Sequence, residues 1–193
     1  MDFLLRQMPN TPEQLKSTLE EIIEVQTGID FGVGDVIVPK QEMRKIPTQL
    51  DDFIAPTVNT YSIETTVAEK IDAILSLMEF SSRMKDYYDI YYLANKFDFD
   101  GAMLTEALRK TFENRGHTFT VEQFEQVMAF DSDEAMQKKW NAFVRKIDAK
   151  TNNYSSVLKT IKIFLVQPFL SAIKKTEFAG KWSITDGNWL QIR

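Results

Sequence analysis

Three groups of charged residues have the types and spacing that phosphate chemistry uses. The first is Asp30 and Asp35 in the glycine-broken run Ile29-Asp-Phe-Gly-Val-Gly-Asp-Val-Ile-Val38, with Asp2 on Asp2-Phe-Leu-Leu5. Carboxylates projecting from neighbouring strands supply the few hard oxygens that Mg²⁺ wants, and leave its other positions to water and phosphate. Turn or edge aspartates are the competing reading. The second is Lys70, which follows Ala68-Glu69 and stands one turn before Ile74 at the border of an apolar stripe. Its stem can be buried while the ammonium reaches into a cleft, which suits nucleotide phosphates, although ordinary snorkelling gives the same placement. The third is Arg83-Met-Lys-Asp-Tyr-Tyr-Asp89. On a helix, Asp86 and Asp89 share a face with Ile90 and Leu93, and Lys85 can pair with Asp89 across one turn. Acids bordering a buried surface need partners, which Arg83 or Lys70 can supply. This group reads equally as a catalytic site and as an ion network holding two helices together.

Other reactive types carry less. His117, the sole histidine, follows a helix end and reads as a loop residue rather than a general base. Tyr87, Tyr88, Tyr91 and Tyr92 surround one helix and read as core and rim rather than as a base-stacking platform. No serine lies in a nucleophile-elbow context, so acyl chemistry has no support.

The elements that must hold these residues fall into a small α/β part, residues 1–61, and a helical region, residues 62–193. Asp2–Leu5 reads as a short strand. Thr11 and Gln14 have capping-box spacing around Pro12, opening a helix with Leu15, Leu19, Ile22 and Ile23 on one face. Ile29–Val38 reads as a strand in which Gly32 and Gly34 mark a bulge or a close backbone approach. Residues 40–60, broken by Pro47 and Pro56, read as a connection with a short extended piece at Thr57–Tyr61. Val67, Ile71, Ile74, Leu75 and Met78 then form a helical stripe. Helices follow over Met84–Phe97 and over Gly101–Arg115, the latter closed by Gly116. Thr120 and Gln123 cap a fourth. Ser132 opens a fifth with Met136, Trp140, Phe143, Val144 and Ile147 inward, and a sixth runs from Tyr154 to about Gln167, where Pro168 should kink or end it. The tail turns as a hairpin at Asp186-Gly187. The fold class expected is α+β: a small sheet with flanking helices, then a mostly helical C-terminal bundle.

Composition fits a soluble globular chain of 193 residues, 44% apolar and 26% charged. No apolar run approaches the roughly 20 residues that cross a bilayer, and Met1–Pro9 lacks the basic flank and long apolar region of a signal peptide. No membrane association is expected. Without cysteine there is neither disulfide nor thiolate metal site, and a cytoplasmic location suits the chain. The net charge of -5 is unevenly spread: residues 138–193 carry +8 and residues 1–137 carry -13. An acidic body with a basic final third could hold metal at one end and phosphates at the other, or simply present solvated helix faces.

Asp30-Phe-Gly-Val-Gly-Asp35 with Val38-Pro39, Tyr61-Ser-Ile-Glu-Thr-Thr-Val-Ala-Glu-Lys70, and Ser82-Arg-Met-Lys-Asp-Tyr-Tyr-Asp89 together resemble the bacterial AbiEii/AbiGii toxin family. Thr111-Phe112 with Arg115, and Trp140 and Phe143, fit its longer members. The similarity runs over essentially the whole chain and is least specific in the tail. It implies a nucleotidyltransferase-like fold and a type IV toxin, the partner of a cognate antitoxin. The implied activity moves a nucleotide from an NTP, with Mg²⁺, to an RNA such as tRNA. By motif, Asp2 and Asp30 are the metal carboxylates and Lys70 the nucleotide-facing lysine. Asp86 or Asp89 is the acid of the last motif, with Arg83 and Lys85 beside the nucleotide. The family pattern also places a Gly-Ser and a first Asp before residue 1, and two more strands where only Gln26–Ile29 intervenes. As written, the chain is therefore expected to be catalytically crippled. From a different class, a non-catalytic module binding an antitoxin or nucleic acid fits the same residues, and a nuclease would present similar metal ligands.

Overall fold

Ser62 has extended backbone, and its hydroxyl accepts the Thr65 amide, capping a helix that begins at the next residue. In the computed structural model this helix, α1, spans Ile63–Leu77, and the residues described are 36–48, 52–80, 83–147 and 152–191. The chain divides into two units, Met1–Gly34 and Asp35–Arg193, and every described residue belongs to the second. The expected strand at Asp2–Leu5, the helix opening at Thr11, and the carboxylates Asp2, Asp30 and Asp35 lie outside the described residues.

Along the rest of the chain come β1 (Glu42–Lys45), β2 (Thr57–Thr60), α1, α2 (Met84–Lys96) and β3 (Phe99–Asp100). They are followed by α3 (Gly101–Arg115), α4 (Val121–Met128), α5 (Glu134–Ile147), α6 (Tyr154–Lys174), β4 (Gly180–Ser183) and β5 (Asn188–Gln191). The class is α+β. The described strands form two antiparallel sheets, β1-β2 and β3-β4-β5. Helix α6 packs on α2 and α3, and α1 packs on the same two helices. Val67, Ile71, Ile74 and Leu75 of α1 lie in the shared core with Leu104, Leu108, Ile161 and Phe164.

Several expectations need correcting. Val36–Val38 are not in a strand, because Val38 spends its backbone groups on the start of α1. Its N–H donates to Thr65 Oγ1 at 2.8 Å, and its carbonyl accepts from Ser62 Oγ at 2.7 Å. Residues 42–45, expected within a loop, form β1 by pairing with β2. Asp133, not Ser132, caps α5 by accepting the Met136 amide, and Ile147 is 41% exposed rather than inward.

Pro168 does not end α6, which continues to Lys174. A proline leaves the carbonyl four residues back without its helical donor. Here that carbonyl, Phe164 O, accepts the Trp189 indole N–H at 2.9 Å, so the hairpin supplies the missing bond. Trp182 does the same for α2, its indole donating to Ala94 O at 2.7 Å near the helix end. Carried through Pro168, α6 is long and apolar enough to cross a membrane by length and composition, contrary to the expectation that no run is. Half of that stretch is buried against the other helices.

Candidate functional site

Lys70 sits midway along α1, and Asp86 and Asp89 lie on the first two turns of α2. Packing of these helices brings the Lys70 ammonium 3.0 Å from Asp86 Oδ1 and 2.5 Å from Asp89 Oδ2. Lys85 reaches Asp89 Oδ2 at 2.5 Å, across one turn as its spacing predicts. Arg83 Nε lies 2.7 Å from Asp86 Oδ2, yet that oxygen accepts no hydrogen bond, so the contact is ionic and oblique. The two cations considered as partners for these acids, Lys70 and Arg83, thus both engage Asp86. Being in the first turn, Asp86 also meets the positive end of the α2 dipole.

Exposure grades outward through the cluster. The Asp86 side chain is 7% exposed, Lys70 and Asp89 about a fifth, Arg83 57% and Lys85 71%. Burial works against the Lys70 charge, but the hydrogen bonds to Asp89 and Asp86 and their charges outweigh it and hold its pKa above the ordinary value. Three cations face two anions, a formal surplus of one positive charge. An anionic group arriving from the Lys85 side would meet donors first and carboxylates behind them.

A second cluster occupies the opposite flank of α1 and escaped the sequence reading. Asp72 is fully buried, its Oδ1 lying 2.8 Å from His117 Nδ1 and its Oδ2 3.6 Å from Arg115. Arg115 also pairs with Glu69, and Ser76 Oγ lies 3.3 Å from the same His117 nitrogen. His117 does sit in a loop, as expected, but it ties that loop to α1. The signal lay in the spacing: Thr65, Ala68, Asp72 and Leu75 form one helical line, and an acid inside an otherwise buried line requires a partner.

Among the described residues, no group of three or more His, Asp or Glu side chains could hold a metal ion. The two carboxylates that do meet have the Lys70 ammonium between them. The carboxylates of the described cluster are thus engaged by an ammonium rather than arranged around a divalent cation.

A family model described as nucleotidyl transferase AbiEii toxin, type IV TA system, matches residues 2–162, ending inside α6. That range includes both helices of the cluster and leaves out the second half of α6 and the terminal hairpin. No curated protein and no solved structure matches the chain. The chain belongs to the AbiEii nucleotidyl transferase toxin family, with the toxin-like nucleotidyltransferase role and the antitoxin partner which that membership brings.

Proposed function

We propose that this protein transfers a nucleotide from an NTP to an RNA acceptor, tRNA being the first candidate, and that the Lys70–Asp86–Asp89 cluster binds the triphosphate. The observation that carries this reading is one partly open ammonium, Lys70, held by two carboxylates and flanked by the exposed Arg83 and Lys85. Family membership supplies the reaction type. In this reading Lys70, Arg83 and Lys85 steady the phosphates, and Asp89, the more exposed acid, orients the acceptor hydroxyl by accepting its hydrogen bond. The hydroxyl oxygen bonds to the α-phosphorus as the bond to the departing pyrophosphate breaks, and the hydroxyl proton passes by way of Asp89 to solvent. Such catalysis is positioning and charge stabilisation rather than covalent chemistry by the protein. Mg²⁺, assigned to Asp2 and Asp30 by the family resemblance, would offset triphosphate charge when bound. A cysteine-free chain working on RNA belongs, in this proposal, in the cytoplasm.

The test is incubation of the full-length protein with labelled NTPs, Mg²⁺ and total tRNA, beside Lys70→Ala and the milder Lys85→Ala. Label transfer abolished by Lys70→Ala and reduced by Lys85→Ala is the expected result. Because Asp86 is nearly buried, a thermal melt must accompany Lys70→Ala, and the exposed Lys85 provides a variant free of that complication. No transfer to any RNA would replace the enzyme with a non-catalytic module that binds an antitoxin or nucleic acid.

A further inference from the structure

We propose that the exposed face shared by α2 and α5 is a platform for a single-stranded stretch of the acceptor RNA, an assignment that rests on the transfer reading above. Tyr88 and Tyr92, one turn apart on α2, stack with ring centroids 6.3 Å apart and planes at 26°. Tyr92 is 45% exposed, and Tyr88 meets Phe143 of α5 at 5.9 Å. Both helices carry lysines at helical spacing from these rings. Lys85 precedes Tyr88 by three residues and so shares its face, while Lys139 and Lys146 stand four before and three after Phe143 along α5, the Lys139 ammonium lying 3.9 Å from Met136 Sδ.

An exposed ring backed by a second, partly buried one, with lysines near in sequence, suits a single strand, because unpaired bases offer their faces for stacking while their phosphates need cations. A duplex hides those faces. Lys85 joins the platform to the nucleotide cluster, since its ammonium rests on Asp89. A strand lying on the tyrosines would thus deliver its end toward Asp89.

The experiment is fluorescence anisotropy of the full chain with a labelled single-stranded RNA of roughly a dozen nucleotides, and with the same RNA in a duplex, over a salt series. The single strand should bind more tightly than the duplex. Tyr92→Ala should weaken it about tenfold and Tyr92→Phe, which keeps the ring, hardly at all. Replacing Lys139 and Lys146 together by Gln should flatten the salt slope by about 1.4. Equal binding of duplex and single strand, or full affinity in Tyr92→Ala, overturns the platform. Transfer that survives Tyr92→Ala undiminished removes the platform and leaves the enzyme standing. Tyr92-dependent RNA binding in a wild-type protein that transfers nothing does the reverse.

Discussion

Helix α1 carries an ion cluster on each flank, built from three of its charged residues, Lys70 on one side and Glu69 and Asp72 on the other. Toward α2, Lys70 joins Asp86, Asp89, Arg83 and Lys85 in a group with surplus positive charge that grades out to solvent. Toward α3, Glu69 and Asp72 face Arg115 and His117 around an acid with no exposure. In the second arrangement the acid is sealed, and its partners Arg115 and His117 join α3 and the following loop to α1. In the first, the outer cations Arg83 and Lys85 are mostly exposed, and in the proposed reading they are the ones a phosphate meets. Burial, rather than the number of ion pairs, separates a structural network from a candidate binding site.

Substitutions can break this contrast, beginning with the largest effect. Lys70→Ala should lower nucleotide transfer by about 100- to 1,000-fold, the usual consequence of losing one charge-stabilising donor. It should also cost about 1–3 kcal/mol of stability, because the nearly buried Asp86 loses a partner. Asp72→Ala should cost about 2–3 kcal/mol in urea unfolding, less than a fully buried pair because Arg115 and His117 are each more than a third exposed. Transfer per folded molecule should survive it. Equal losses of transfer from both variants would erase the distinction between the clusters.

A finer prediction concerns pH. The folded-state pKa of Lys70 is raised, so its stabilisation is fully present below the ordinary lysine value of 10.5 and is lost as pH climbs above it. The stability difference between wild type and Lys70→Ala should hold constant from neutrality to about pH 9.5 and narrow beyond about pH 10.5. Burial pushes the Tyr87 hydroxyl up to about 12, so both proteins should lose stability above about pH 10 as this tyrosine ionises in the unfolded chain. That common term cancels in the difference. The smallest effect belongs to Lys85→Ala, whose 71% exposed side chain should change stability by less than about 0.5 kcal/mol while raising KM for the NTP.

What could be read in advance was local. The Thr120–Gln123 capping box, the Gly116 stop at φ 67° and the turn at Gly187 depend on a few adjacent residues, and all three stand where the sequence places them. The cluster was legible because Lys85–Asp89 is a helical pair, and because Lys70 and Asp86 border apolar stripes whose packing brings them together. What escaped depends on distant partners. Strand β1 has no β-branched residue and exists through its register with Thr57–Thr60. The Trp189 indole that takes the Phe164 carbonyl left by Pro168 lies 25 residues from Phe164, and the His117–Asp72 contact spans 45 residues. None of these has a signature within a helical turn.

The most direct test of the central claim is side-chain NMR of the protein with lysines labelled at Cε, titrated with a non-hydrolysable NTP. The Lys70 and Lys85 resonances should move in step with nucleotide while the His117 ring signals stay fixed. Nucleotide that shifts His117 and leaves Lys70 untouched would place binding on the wrong flank of α1 and contradict the account.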